Sequence, residues 1–344
     1  MQKVATAPLA VTGGDPAGIG LDITLKAWTQ RTALALPPFV LFADAGALAE
    51  RAALLGLAVP IERISALSQT AVVFAHSLPV IHVAQATPTR AGHPDSANGA
   101  AVIACIELAT AAVIAGDAAA LVTNPIAKNV LYAAGFKHPG HTEFLAALAE
   151  RHRPEQTFTP VMLLAAHELR VVPLTIHVPI ARVPSLITKA AIIKTAGILH
   201  AGLRHDFGLV DPRIAIAGLN PHAGEAGTIG REDEEIVRPA VEALRREGMR
   251  VTGPHSADTL FHSAARETYD AVIAMYHDQA LIPIKTLAFD RGVNMTLGLP
   301  FVRTSPDHGT AFDIAGSGAA RPESFIEALR LALQASQRRA GNLL

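Results

Sequence analysis

The chain has 344 residues, of which 50% are hydrophobic and 17% are charged, and its formal net charge is −1. This length is natural for two α/β domains, and the composition indicates a well-packed globular protein rather than a disordered one. The net charge is close to zero and the sequence has no basic block, so it lacks the clustered positive charge that typically binds nucleic acid or an acidic membrane. The single cysteine, Cys105, excludes an internal disulfide, and no cationic, apolar leader opens the chain, so we expect a cytoplasmic protein.

The first half of the chain alternates short apolar runs with helical stretches rich in Ala and Leu. The apolar runs that predict strands are 4–11, 39–43, 79–83 and 119–124. The stretches that predict helices are 21–29, 45–57 and 97–115. This alternation predicts a mostly parallel sheet that is covered by helices on both faces. The stretch 97–115 carries Asn98 and Glu107 and stops at a glycine, so it favours a core helix over a membrane span.

A glycine-rich segment, residues 12–20, joins the first predicted strand to the first predicted helix. Backbone N–H groups at a helix start are unpaired and can bind an anion. The spacing of Gly14, Gly18 and Gly20 matches neither a Walker A loop nor a dinucleotide fingerprint. A tight structural turn and a ligand-binding loop therefore stay equally open.

A polar loop, residues 135–143, enters a helix that is predicted to end near Arg151. Thr142 stands where a helix N-cap would stand, with His141 just before it, so a cap alone is one interpretation. A helix start flanked by two histidines and a lysine can also receive a phosphate or a carboxylate. We favour this second hypothesis.

Three histidines, His177, His222 and His277, each follow an apolar run of strand type. If these strands are neighbours in a parallel sheet, the three imidazoles meet at one edge and form a normal ligand set for a catalytic divalent ion. The chain has 15 histidines, so the spacing alone leaves a metal site and three unconnected histidines about equally open. Imidazole favours zinc, cobalt, nickel or iron over magnesium.

Two acids stand near this predicted edge. Asp258 and Asp278 could each orient an imidazole or accept a proton. An N-cap role for Asp258 and a turn role for Asp278 remain the alternatives.

The segment 269–318 contains more polar and charged side chains than an element that only packs in the core would need. Beyond His277 come Lys285, Asn294 and Arg303, and then the glycine-rich run 308–318. We therefore interpret this segment as the centre of the functional site.

Five motifs carry a resemblance to a known family. They are GDPAGIG (14–20), PGHTE (139–143), NPHAGE (220–225), YHDQ (276–279) and TSPDHGTAFDIAG (304–316). Together they resemble the 4-hydroxythreonine-4-phosphate dehydrogenase family of vitamin B6 biosynthesis, and they span the chain from residue 4 to about residue 330. Two positions depart from it, since Gly13 and Leu21 stand where many members have proline. Both touch only the first loop, residues 12–20, and loosen expectations for that loop alone.

The resemblance implies a role for each candidate site residue. It implies that one divalent metal ion, zinc, cobalt or magnesium, is held by His177, His222 and His277. It implies that the substrate is contacted by His141, Thr142, Lys285, Asn294 and Arg303. It implies that the dinucleotide, NAD or NADP, is contacted by His308, Gly309, Thr310, Asp313 and Gly316.

The resemblance also implies an architecture of two α/β/α domains around a cleft, like that of isocitrate and isopropylmalate dehydrogenases. The expected first domain is built from both chain ends, 1–130 plus 287–344, and carries a C-terminal helix over 322–337. The expected second domain, 131–286, carries the three metal histidines. The family implies a homodimer with the active site near the subunit interface.

The implied activity is NAD(P)-dependent oxidation of 4-phosphooxy-L-threonine to 2-amino-3-oxo-4-phosphooxybutanoate. This product loses carbon dioxide to give 3-amino-2-oxopropyl phosphate, in pyridoxine biosynthesis. One alternative is a related dehydrogenase of a phosphorylated sugar acid such as 4-phospho-threonate. The other is a metal-dependent acyl or phosphoryl transferase, because transacetylases share a related two-domain fold.

Overall fold

The computed structural model describes residues 7–341, so residues 4–6 of the first predicted strand lie outside the described range. The strands are β1 (Leu9–Thr12), β2 (Phe39–Ala43), β3 (Ile61–Arg63), β4 (Leu78–His82), β5 (Ala120–Thr123), β6 (Val161–Ala165), β7 (Arg170–Pro173), β8 (Arg213–Ala217), β9 (Arg250–His255), β10 (Ala271–Ala274), β11 (Val293–Leu297) and β12 (Arg303–Pro306). The helices are α1 (Gly20–Thr29), α2 (Ala45–Leu54), α3 (Thr70–Phe74), α4 (Gly99–Ile114), α5 (Lys128–Ala133), α6 (His141–His152), α7 (Val183–Leu186), α8 (Lys189–His205), α9 (Arg238–Arg246), α10 (Ser263–Arg266), α11 (His277–Ala288) and α12 (Glu323–Gly341).

The chain divides into two compact α/β units. Unit 1 runs to Pro160 and resumes at Leu299, so both ends of the chain contribute to it, and unit 2 is Val161–Gly298. These boundaries differ from the predicted crossings near residues 130 and 287. Helix α6 belongs to unit 1 because Phe144 and Leu145 pack in the same hydrophobic core as Ile106 of α4.

The strands of unit 1 form a parallel arrangement in the order β3-β4-β2-β1-β5-β12. β1 is buried along its whole length, and its register pairs Leu9 with Phe39 on one side and with Ala120 on the other. A strand buried on both faces needs a continuous apolar run rather than an alternating one, as its sequence LAVT shows.

Helix α4 is the most apolar long helix of unit 1. The stretch Ser96–Ile114 is long and apolar enough to cross a membrane by length and composition alone. In the structure Ile106 and Ala109 are fully buried in the core of unit 1, as expected for a core helix.

Unit 2 contains strands in the order β11-β6-β7-β10-β8-β9. β11, β6 and β7 are joined by antiparallel pairing, whereas β7, β10, β8 and β9 are parallel. The parallel sheet predicted from the first half of the chain is thus found in unit 1. The antiparallel pairs of unit 2 were not predicted. β7, β10 and β8 are the strands that precede His177, His277 and His222.

The aromatic core of unit 1 provides a test of its packing. Phe39 is fully buried, and its ring centroid lies 4.9 Å from that of Phe74 and 6.1 Å from that of Phe325 on α12. Phe39→Ala should lower the free energy of unfolding by about 3–5 kcal/mol, because it leaves a cavity where three rings meet. Denaturant unfolding measures this loss. Val210→Ala is the control, since Val210 is 87% exposed, and an equal effect of both changes would contradict the packing described.

Candidate active site

The side chain of a buried arginine lies beside the carboxyl end of β5. Arg303 opens β12 and is 4% exposed, and its Nε and Nη2 atoms donate to Thr123 Oγ1 at 3.1 and 2.7 Å. Burial disfavours the charged form and lowers the pKa of the guanidinium to about 10. The group still carries its charge near neutral pH, so it places a positive charge beside the end of β5.

His141 lies near this arginine and opens helix α6. Its Nε2 atom is buried and has no hydrogen-bond partner among the described residues. Burial and the neighbouring charge of Arg303 lower the pKa of the imidazole well below its usual value, so the ring is neutral near pH 7. A buried nitrogen without a partner costs free energy that a bound ligand can recover.

The start of α6 differs from the sequence prediction. The N-cap is Gly140, in an extended conformation, and Thr142 is the second residue of the helix, so its predicted N-cap position is wrong. A Cβ at residue 140 would lie 2.8 Å from Glu143 Oε2 and 3.3 Å from Lys128 Nζ. The side chains of Glu143 and Lys128 therefore come close to the backbone of Gly140, and they would have to shift for a larger residue.

The glycine-rich segment of residues 12–20 packs against the loop that follows β12. Ile19 N–H donates to the carbonyl of Thr310 at 2.9 Å, and a Cβ on Gly18 would lie 2.9 Å from that same oxygen. Gly309, by contrast, has open space where a Cβ would stand. The first loop is thus a tight turn that supports the 308–316 loop, whose own backbone stays accessible at Gly309.

Two charged residues that sequence reasoning missed hold these loops. Asp22 of α1 and Arg51 of α2 form a buried ion pair with 0% and 4% exposed side chains. Asp22 Oδ1 accepts from Gly316 N–H at 2.8 Å, while Arg51 donates to the carbonyls of Pro16 and Gly18, both at 2.9 Å. No local pattern singles them out, because Lys26 lies on the same helix as Asp22 and Glu50 directly precedes Arg51.

A cavity of about 270 Å³ adjoins the same loops. Its lining includes Pro16, Arg51, Leu54 and Ala91. A Cβ on Gly316 would lie 2.7 Å from Leu54 and 2.8 Å from Ala91, so the 308–316 loop reaches the wall of this cavity. The fit to a dinucleotide rests on this cavity and on the open backbone at Gly309.

The strands that carry the histidines of unit 2 are neighbours, as the metal hypothesis requires. The parallel order is β7-β10-β8, and the ring centroids of His177 and His277 lie 5.8 Å apart. Both rings line a cavity of about 320 Å³ together with Ile180, Tyr276 and Asp278. Asp278 Oδ1 lies 2.7 Å from His277 Nδ1, which leaves Nε2 as the ring nitrogen that can bind a metal.

His222 is placed differently from the other two histidines. It lies exposed in the turn Pro221–Gly227, where residues 222–226 all have a positive φ. Its imidazole acts electrostatically on Asp258, whose pKa is held below its usual value chiefly by a hydrogen bond from Ser256 and in part by His222. It does not line the cavity that His177 and His277 share.

These positions decide how far the residues fit a metal ion. Within residues 7–341, no three His, Cys, Asp or Glu side chains come close enough together to hold one. His177 and His277 fit two positions of a ligand set, with Asp278 orienting one ring. The third position, which the sequence assigned to His222, stays a prediction.

The remaining predicted residues lie at distinct places. Asp258 is exposed in a short turn, Ala257–Thr259, whose N-cap is Ser256, and it is therefore not a cap itself. Lys285 lies on α11 with its Nζ 5.6 Å from the centroid of the Phe289 ring. Asn294 is half-buried in β11. Their predicted contacts with substrate stay predictions.

Imidazoles that follow parallel strands, and a buried guanidinium beside the end of β5, are groups expected at the active site of an α/β enzyme. The comparisons with known proteins indicate the dehydrogenase class. Residues 35–332 match the family described as Pyridoxal phosphate biosynthetic protein PdxA. The chain belongs to this family.

Individual relatives agree with the family. The chain is 56% identical to 4-hydroxythreonine-4-phosphate dehydrogenase of Methylorubrum populi over 338 residues, which cover 98% of this chain and 96% of that protein. The crystal structure of 4-hydroxythreonine-4-phosphate dehydrogenase from Klebsiella pneumoniae is similar, with a TM-score of 0.85, 39% identity and coverage of 96% and 100% of the two chains. A terephthalate 1,2-cis-dihydrodiol dehydrogenase from Burkholderia xenovorans is more distant, with a TM-score of 0.62, 29% identity and coverage of 95% and 98%.

The neutral His141 makes stability depend on pH. An unfolded histidine takes up a proton as the pH falls through its ordinary pKa of 6.5, whereas the buried ring does not. This contribution is therefore intact above pH 6.5 and is lost as the pH falls below it. Between pH 6.5 and about 5, the free energy of unfolding should fall more steeply in the natural protein than in His141→Gln, by up to about 1.4 kcal/mol per pH unit. Denaturant unfolding at several pH values measures both slopes, and parallel curves would contradict a neutral buried His141.

Proposed function

We propose that the protein oxidises the 3-hydroxyl of 4-phosphooxy-L-threonine with NAD or NADP. The immediate product is 2-amino-3-oxo-4-phosphooxybutanoate, with one reduced cofactor and one proton released. This β-keto acid then loses carbon dioxide to give 3-amino-2-oxopropyl phosphate, a precursor in pyridoxine biosynthesis. The 56% identity to a relative named 4-hydroxythreonine-4-phosphate dehydrogenase supports this substrate.

The observation that carries the proposal is the pairing of a buried arginine with an unpartnered imidazole. Arg303 holds a positive charge in the interior of unit 1, and His141 Nε2 is buried without a hydrogen-bond partner in the described chain. A doubly charged phosphate or a carboxylate can accept from the guanidinium and from the N–H groups at the start of α6. Thr142, in the first turn of that helix, offers a hydroxyl to the same ligand.

The residues of unit 2 would bind and orient the reacting part of the substrate. Lys285 would provide a cationic contact for an anionic group, and the amide of Asn294 would provide a donor and an acceptor. Asp278 would hold His277 in one orientation through its Nδ1 atom. Asp258 is an exposed carboxylate that can accept a proton released to solvent.

The cofactor and the metal come from outside the chain. The nicotinamide ring supplies the hydride acceptor, and a bound divalent ion supplies a Lewis acid that polarises oxygen. His177 and His277 would hold the ion, with His222 as the proposed third ligand, and imidazole ligands favour zinc or cobalt over magnesium. His308, Gly309, Thr310, Asp313 and Gly316 would contact the dinucleotide.

We also infer a homodimer that works in the cytoplasm. Large apolar side chains are exposed on unit 2, namely Ile180 at 67%, Ile282 at 64% and Phe289 at 72%. Ile180 lines the same cavity as His177 and His277, so a second copy over this surface would exclude water from the histidines. Light scattering of the purified protein gives its mass and tests the inference.

Two other functions remain as alternatives. A dehydrogenase of a phosphorylated sugar acid such as 4-phospho-threonate would use the same anion-binding groups. A branched-chain phosphotransacylase from Enterococcus faecalis has a similar fold, with a TM-score of 0.53 at 14% identity, and this likeness concerns the fold alone. A transferase would leave the neutral His141 and the histidine pair of unit 2 without a stated role.

The direct test is an assay with 4-phosphooxy-L-threonine, a divalent ion and each nicotinamide cofactor. Purified protein should produce the absorbance of reduced cofactor and release carbon dioxide. Parallel assays with 4-phospho-threonate and with an acyl phosphate separate the alternatives. Turnover of an acyl phosphate without any nicotinamide would overturn the proposal, and so would the absence of oxidation with both cofactors.

The metal content of variants tests whether the three histidines are metal ligands. His177→Ala, His222→Ala and His277→Ala should each abolish turnover and lower the bound metal, because each change removes a ligand. All three side chains are exposed or half-buried, so each change should alter the free energy of unfolding by about 0.5 kcal/mol or less.

Lys285→Ala is the matched control for these variants. A protonated amine is not a metal ligand, so this change should impair substrate binding and leave the metal content intact. Elemental analysis of the four purified variants gives the answer. Full metal content in His222→Ala would remove His222 from the ligand set.

A further inference from the structure

The buried pair of Asp22 and Arg51 connects segments that are far apart in the sequence. Arg51 donates to the carbonyls of Pro16 and Gly18 in the first loop, each at 2.9 Å, and also to Asp22. Asp22 in turn accepts from the N–H of Gly316 at 2.8 Å. One ion pair thus fixes both the 12–20 segment and the far end of the 308–316 loop.

The near end of the 308–316 loop depends on the same pair through the first loop. Ile19 N–H holds the carbonyl of Thr310 at 2.9 Å, next to the Gly18 carbonyl that Arg51 binds. Both ends of the loop, at residues 310 and 316, are therefore tied to the ion pair. Between them Asp313 is exposed, and just before them Gly309 lies beside open space.

Arg51 also contacts the cavity beside this loop. It forms part of the wall of the cavity of about 270 Å³ that adjoins the loop, together with Leu54 and Ala91. Its position there is set by three acceptors, since Pro16, Gly18 and Asp22 all receive its hydrogen bonds. A guanidinium suits this role because its planar fork can bind several acceptors in fixed directions.

We propose that Asp22 and Arg51 are positioning residues for dinucleotide binding, which they support by holding both ends of the 308–316 loop in place. This inference rests on the proposed function, in which that loop contacts the nicotinamide cofactor. The hydrogen bonds of the pair described above are all with residues of unit 1. Its loss should therefore weaken binding of the dinucleotide and leave binding of the phosphorylated substrate unchanged.

The test uses a double variant, Asp22→Asn with Arg51→Met. Replacing both charges together leaves no uncompensated buried ion, which is the main reason that single changes at such pairs unfold proteins. The dissociation constant of reduced cofactor, measured by its fluorescence in the full-length protein, should rise between about tenfold and a hundredfold. The dissociation constant of 4-phosphooxy-L-threonine, measured by calorimetry, should change by less than about twofold.

Steady-state kinetics add a second measurement. The KM for the cofactor should rise with its dissociation constant, while kcat at saturating cofactor stays within about threefold of the natural value. A general loss of structure would lower kcat and both affinities together. Arg51→Lys keeps the charge beside Asp22 and lacks the fork that binds Pro16 and Gly18, so its cofactor affinity should be intermediate.

The matched control is Arg213→Met with Asp270→Asn. This ion pair joins the start of β8 to the residue before β10, both in unit 2, at 3.1 Å. Its removal should leave the cofactor dissociation constant unchanged. Thermal unfolding shows whether the Asp22 and Arg51 double variant is folded. If it is not, the same two dissociation constants are measured for Arg51→Lys, in which cofactor binding should weaken while substrate binding stays unchanged.

The possible outcomes distinguish a failure of the proposed function from a failure of the positioning role. Natural protein that binds no reduced cofactor overturns the proposed function, and this inference with it. Natural protein that binds cofactor, with a double variant that binds it equally tightly, overturns the positioning role alone. Equal losses of cofactor and substrate affinity overturn it too, because they indicate a general structural effect.

Discussion

The direction of the parallel strands is the constraint on which the rest of this molecule depends. In each unit, loops that leave the carboxyl ends of adjacent parallel strands emerge at one edge, where polar groups need not enter a core. The first loop follows β1 and the 308–316 loop follows β12, while the segments with His177, His222 and His277 follow β7, β8 and β10. In each unit, strand direction therefore brings loops and polar side chains from distant parts of the sequence to one edge.

Unit 1 accepts buried charge at this edge because each charge has partners. Arg303 donates twice to Thr123, and Arg51 donates to a carboxylate and to two carbonyls. Removing a guanidinium from water costs several kcal/mol unless such bonds replace the lost hydration. The exception is His141, which is neutral instead, because burial and the nearby positive charge both oppose its protonation. These groups respond to the same low dielectric by pairing or by losing charge.

Much of the fold could be predicted from the sequence, and the site in part. Continuous apolar runs identified the buried strands, and their parallel order placed His177 and His277 together. The sequence could not place His222, because the backbone has a positive φ at this residue and at Ala223, Glu225 and Ala226. Alanine and glutamate normally avoid that conformation, so the sequence does not indicate this turn. Nor could it identify Asp22 and Arg51, since their hydrogen bonds join residues that are 29 to 294 positions apart in the sequence and leave no local pattern.

The discontinuous layout of unit 1 has a consequence for how the chain folds during synthesis. β5 pairs with β12, and Arg303 contacts Thr123 across 180 residues of sequence. When β1 to β5 have left the ribosome, the β5 edge that β12 covers has no partner of its own, and it must wait while all of unit 2 is made. Unit 2 is continuous and can fold as one unit in the meantime. β12 and α12 are translated after unit 2, and they thus complete a unit whose other strands were made before it.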